Sequence, residues 1–170
     1  MWLSPRLLLL LLPQVPVLRE ITALMYNMSC NNETALDLAH KGLLSTVPPL
    51  LKSSDAPTQR FAHWTLANLA ANPRTQAFFV DNRGAGIFMF IESCLAAEDE
   101  HVRAAGAWGF KQFMSYAAAR ASLLRSAAPD LFFRWISQML RHRSSMVKLS
   151  AAWGLALAMA THPSGKKSVR

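Results

Sequence analysis

The stretch Ala62-His63-Trp64-Thr65-Leu66-Ala67-Asn68-Leu69-Ala70-Ala71-Asn72-Pro73 decides how this 170-residue chain is read. Its Ala and Leu residues favour a helix. Asn72-Pro73 stops it, because a residue before proline is steered out of the α region. At about 100° per residue, with Phe61 at 0°, Ala62, Leu66 and Leu69 fall at about 100°, 140° and 80°. Together with Phe61 they make one core stripe. Trp64 and Asn68 fall at about 300° and 340°, neighbours one turn apart and away from the centre of that stripe. Core packing alone does not explain an indole in that place.

The pattern recurs. Ala107-Trp108-Gly109-Phe110 and Ala152-Trp153-Gly154-Leu155 resemble it, and the three tryptophans lie 44 and 45 residues apart. A weaker copy, Met25-Tyr26-Asn27-Met28-Ser29, matches Leu66 to Ala70 at a spacing of 41 residues. Periods of roughly 40–47 residues belong to stacked helical units. The intervening segments repeat as well. Ser53-Ser54-Asp55 supplies capping oxygens and Pro57 a helix start, predicting a long helix to about Ala71. A short helix over Arg74–Val80, a turn at Asp81-Asn82-Arg83-Gly84 and an apolar helix over Ala85–Ala96 follow. Glu98-Asp99-Glu100 suits the N-terminal dipole of the next long helix, His101–Ser115. The same order predicts helices at Ala118–Ala127, Pro129–Arg141 and Ser145–Ala160, and earlier ones at Pro16–Ser29, Glu33–His40 and Leu43–Leu51.

The stretch Ala62 to Pro73 resembles the third helix of an armadillo repeat, as in importin-alpha and beta-catenin, and the resemblance extends over about Val17 to Ala160. HEAT or another related helical repeat is the alternative. The resemblance implies an all-α, right-handed α-solenoid of about three to four three-helix repeats. It also implies a concave groove in which an extended peptide lies, its backbone held by Asn side chains and its side chains separated by Trp faces. On that footing the peptide-binding candidates are Asn27, Trp64, Asn68, Trp108, Gln112 and Trp153. An amide offers a peptide backbone both a donor and an acceptor, and an indole offers broad apolar area with one N–H. The plainer alternative is that Trp64 packs on the neighbouring repeat while Asn68 caps or is solvated. The ladder is imperfect: equivalent positions read Ala23/Asn27, Trp64/Asn68, Trp108/Gln112 and Trp153/Leu157.

Lys and Arg number 18 against 10 Asp and Glu, a net charge of +8. The long helices carry Arg19, Arg60, Arg103, Lys111 and Lys148, so the expected partner is a protein with an extended acidic segment. No small-molecule substrate or nucleic acid is expected, since the basic clusters Arg141-His142-Arg143 and Lys166-Lys167 lack an aromatic stacking platform. A membrane contact has only the net charge behind it. The rival functions are a purely structural repeat unit within a larger assembly and a basic reader of anionic membrane or RNA.

A hydrophobic content of 52% with 16% charged residues excludes disorder over most of the length. Cys30 and Cys94 lack metal spacing and are expected to be buried free thiols. His40, His63, His101, His142 and His162 are scattered and expected at the surface or in caps. No Walker loop, HExxH, GxSxG or GxGxxG occurs, so no catalytic residue, metal or cofactor is expected, nor enzyme activity. Residues 1–14 admit two readings. Leu7 to Leu12 after Arg6 looks like a secretory leader, but the run is short before Pro13, no A-x-A site follows, and it cannot span a membrane. In the repeat phasing it falls where a preceding middle helix would end. The expectation is therefore a helix remnant at 1–14, a repeat domain at 15–160 and a disordered basic tail at 161–170, in a cytoplasmic or nuclear protein. The sequons at Asn27 and Asn32 favour the secretory alternative.

Overall fold

Asp55 and Asp99 each begin a long helix in the same way. The Asp55 carboxylate accepts from the Thr58 N–H, and that of Asp99 from the N–H groups of His101 and Val102. Asn31 caps a shorter helix through Glu33 and Thr34. Such caps satisfy donors that a helix start leaves unpaired. A computed structural model describes residues 15–80, 85–126 and 129–161. The Leu7–Leu12 run, the Asp81–Gly84 turn, Ala127, His162 and most of the expected basic tail lie outside the described residues.

The described elements are α1 (Val15–Ser29), α2 (Asn32–His40), α3 (Leu43–Thr46), a 3-10 turn (Pro48–Lys52), α4 (Ala56–Ala71), α5 (Gln76–Val80), α6 (Ala85–Ala96), α7 (Glu100–Ser115), α8 (Ala117–Ser126), α9 (Pro129–Leu140) and α10 (Ser145–Thr161). No strand occurs among them, and none of these helices is long and apolar enough to cross a membrane. The single helix expected over Leu43–Leu51 is instead broken into α3 and the 3-10 turn. Pro48 and Pro49 lack the N–H groups that would bond back to the preceding turn, so the α pattern cannot continue.

The long helices α1, α4, α7 and α10 stack consecutively, each against the next. Small residues set how closely they approach. A Cβ on Gly109 of α7 would lie 3.1 Å from the Ala67 Cα of α4 and 2.9 Å from the Phe90 ring of α6. A Cβ on Gly154 of α10 would lie 2.5 Å from the Phe110 ring of α7. Leu66, Leu69, Phe90, Phe110 and Phe113 fill the core between the layers and are fully buried. The other helices close the back of the stack and cap its carbonyls. Gln76 Nε2 donates to the Ala70 carbonyl (3.0 Å) and Arg120 Nη1 to that of Met114 (2.6 Å), while in the reverse sense Gln59 Nε2 of α4 donates to the Leu51 carbonyl of the 3-10 turn (3.1 Å).

Three expectations need correction. Phe61 is not in the core stripe but half-buried at its edge, tilted against Tyr26 of α1 with ring centroids 5.7 Å apart. His63 is fully buried rather than at the surface, because α6 covers the side of α4 on which it stands. Its Nδ1–H donates to the Gln59 carbonyl (2.7 Å) and Nε2 accepts from the Ser93 hydroxyl (2.9 Å). Of the two thiols, Cys94 is buried under Gly106 but Cys30 is exposed just beyond the end of α1.

Leu66 fills the core whereas Asn68 faces outward with one bond to a neighbouring helix. Leu66→Ala should therefore cost roughly 2–5 kcal/mol in urea melts, and Asn68→Ala roughly 0.5–1.5 kcal/mol. Equal losses would mean that the faces of α4 are wrongly assigned.

Candidate functional site

Helix α4 is buried around most of its circumference, and its open arc holds Arg60, Trp64, Asn68 and Ala71. The equivalent arcs of α7 and α10 hold Trp108 with Gln112 and Trp153 with Leu157, so the three tryptophans stand on one side of consecutive helices. Trp64 and Trp108 are half-buried and touch, with centroids 5.9 Å apart and planes at 45°. Trp153 is 47% exposed. Its Nε1–H donates to the Ser115 hydroxyl (3.4 Å), and the Lys111 ammonium sits 5.7 Å from its ring centroid. That is within reach of a cation–π attraction.

The amides are less uniform. Asn68 Nδ2 donates to the Ser29 hydroxyl (2.9 Å) and makes a longer contact with Cys30 Sγ (3.4 Å). Its carbonyl oxygen has no partner among the described residues. Asn27 is exposed and Gln112 half-buried, and neither side chain is hydrogen-bonded among the described residues. Trp64 packing on its neighbour matches the plainer alternative for that residue. The Asn68 oxygen, without a partner among the described residues, and the exposed Trp153 face leave polar and apolar groups open on the arc.

The cations fare differently from one another. Arg19 reaches Asp55 with both Nε (3.3 Å) and Nη2 (2.6 Å), and Arg60 Nε reaches Asp99 at 2.6 Å. Each of these aspartates thus caps its own helix and ties it to the previous one. The Arg19 hydrogen bond, helped by Thr58, holds the Asp55 carboxyl well below the usual carboxylate range. At Asp99 burial pushes upward, but Arg60 and the cap N–H groups outweigh it and the net direction is down. Arg103 is not a surface cation at all. It is buried, its Nη1 donating to the Ala97 (2.8 Å) and Glu98 (2.6 Å) carbonyls after α6. It stands four residues past its cap, as Gln59 does after Asp55, and both serve the end of the element behind them. Lys111 and Lys148 carry no carboxylate partner among the described residues.

Sequence reasoning missed the hydroxyls of Ser29 and Ser115, which hold Asn68 and Trp153 from the neighbouring helix. The signal was present: each stands 38 or 39 residues before its partner, just short of the repeat period. His40 and His101 are exposed and His142 is half-buried. No group of three His, Cys, Asp or Glu side chains could hold a metal among the described residues.

No family model matches the sequence, and no curated protein does either. The fold has solved counterparts. A designed armadillo repeat protein in complex with the peptide (KR)4 superposes with a TM-score of 0.66 at 22% identity, covering 88% of this chain and 62% of its own. An engineered protein gives 0.65 at 20% identity, with 82% and 55% covered. A second engineered protein gives 0.64, also at 20% identity, with 82% and 56% covered. The chain thus spans less than two thirds of each. The fold is an armadillo-like helical repeat, a right-handed α-solenoid.

Burial, opposed in part by the Gln59 carbonyl, lowers the pKa of His63 from its ordinary value near 6.5. Above about pH 7 the group contributes nothing to pH dependence. Below about pH 6.5 the unfolded chain takes up a proton that the folded one resists, so stability falls with pH. His142 acts in the same direction, through burial first and then Arg103 and Arg143. The urea midpoint should drop between pH 7.5 and 5.5, and His63→Gln should shrink that drop. An undiminished drop in the variant would contradict the assignment.

Proposed function

We propose that this chain is a non-catalytic protein-interaction scaffold that takes an extended, acidic segment of a partner protein along the open arcs of α1, α4, α7 and α10. The observation that carries the reading is the row of Trp64, Trp108 and Trp153 on one side of consecutive helices, with amides at positions 27, 68 and 112 beside it. Indoles supply apolar area between ligand side chains, and amides replace the water that a peptide backbone loses.

The designed armadillo protein carries a basic peptide, and a basic peptide needs unpaired carboxylates. On the present arcs Asp55 and Asp99 are each neutralised by an arginine, whereas Lys111 is not paired with an acid among the described residues. That balance favours an acidic segment. No cofactor, metal or small-molecule substrate enters this reading. The exposed thiol of Cys30 suits a reducing compartment, in keeping with a cytoplasmic or nuclear location. A second reading, a purely structural repeat unit, draws support from the Trp64–Trp108 contact and the Asn68–Ser29 bond, which use ladder groups internally.

Tryptophan-fluorescence titration with an acidic octapeptide of alternating Asp and Leu, beside its Lys/Leu counterpart, separates these readings. The acidic peptide should bind, and Asn68→Ala should weaken it about 5- to 100-fold by leaving peptide groups unpaired. Lys111→Gln should mainly flatten the salt dependence. Equal binding of the two peptides, or affinity untouched by both substitutions, would leave the structural reading in its place.

A further inference from the structure

Away from the tryptophan row, α6 and α9 run beside an open pocket of about 440 Å³. Its apolar part is Leu95, Ala96 and the buried indole of Trp135; its polar groups are Glu92, Arg134, Gln138 and His142. Arg134 and Gln138 are one turn apart on α9 and exposed, and Arg134 forms no ion pair among the described residues. His142 Nδ1 accepts from the Ser144 N–H (3.0 Å), so the neutral ring carries its proton on Nε2 as a donor. Buried Arg103 stands at the margin, its Nη1 on the two carbonyls that follow Ala96, with Nε and Nη2 unpartnered among the described residues. Arg103, Arg143 and Lys148 all press on His142 against Glu100, so positive charge dominates this corner.

We infer that the pocket is a second docking site, which holds one acidic side chain and its apolar neighbour from a partner protein. The carboxylate lies against Arg134, Gln138 and His142, where charged and amide donors converge on it. The apolar neighbour covers Leu95 and Ala96, with the Trp135 indole in the wall beside them. Met89, 39% exposed and one turn before Glu92, extends the apolar stripe along α6 and gives a passing chain further contact. Glu92 closes the other side and limits the site to a single acid. Most of the pocket's polar rim is exposed, so it grips a side chain of a longer chain rather than engulfing a free small acid. This site shares no residue with the tryptophan row, and either can fail without the other.

The test uses the ¹⁵N-labelled full chain titrated with acetyl-Leu-Glu-Leu-Gly-amide and with the same peptide carrying Gln for Glu. The Glu peptide should shift the Gln138 side-chain amide and the Trp135 indole resonance, and the Gln peptide should bind about ten-fold more weakly. Arg134→Gln should weaken the Glu peptide about five-fold or more, whereas Glu92→Gln should tighten it about two-fold. Lys52→Gln, the same loss of positive charge at an exposed site elsewhere, should leave the affinity unchanged. No shift at Gln138 and Trp135 would overturn the inference. So would Arg134→Gln and Glu92→Gln having no more effect than Lys52→Gln.

Discussion

The separation between consecutive long helices is the constraint on which the rest of this molecule depends. Ala67 faces Gly109 across the α4–α7 seam, and the Phe110 ring of α7 lies against Gly154 of α10. A methyl group at either glycine would drive into backbone or into a packed ring, and buried cores absorb such volume poorly. Close axes have two consequences on the open side. They bring Trp64 and Trp108 into ring contact, and they let Asn68 and Trp153 reach hydroxyls on the preceding helix. They also allow Arg19 and Arg60 to span to the cap of the helix that follows.

Those arginine–aspartate ties couple helix initiation to stacking, since one carboxylate serves both. The tie is present from α1 to α4 and from α4 to α7. It is missing from α7 to α10, where Ala104 and Ser144 stand at the positions of the arginine and the aspartate. At that seam the cross-helix contact is instead the Lys111 ammonium over Trp153. The open side is therefore not a uniform repeat. It passes from neutralised arginine pairs at α1 and α4 to a lysine without a carboxylate partner among the described residues and exposed apolar groups at α10, among them Leu149 and Trp153. Of Arg19, Arg60 and Lys111, the one without a carboxylate partner among the described residues is Lys111, at the α7–α10 end.

Much of this was legible in the residues. Tryptophans at a near-constant period, aspartate caps before α4 and α7 and the proline stop after α4 define the repeat without any neighbour in view, because helix starts and stops are local events. The break at Pro48-Pro49 was equally local, and reading Leu43–Leu51 as one helix overlooked two absent N–H groups. What was not legible depends on partners distant in sequence. His63 looks like a surface histidine until Ser93 of α6 is brought to its ring. Phe61 lies on the stripe by angle, yet Tyr26 draws it to the edge. Arg103 counts as a groove cation by charge alone, but its register after Asp99 sends it back to the end of α6. Composition supplied the charge, and only the fold showed which charges remain available.

The central claim is that α4, α7 and α10 stack in register so that positions 64, 108 and 153 form one row. Nuclear Overhauser spectroscopy on the chain with labelled tryptophan tests it most directly. The account predicts cross-peaks between the indole protons of Trp64 and Trp108, whose ring centroids stand 5.9 Å apart, and between the Trp153 indole and side-chain protons of Lys111. A Trp64 indole that sees only protons of its own helix would contradict the register, and with it the row on which the binding reading stands.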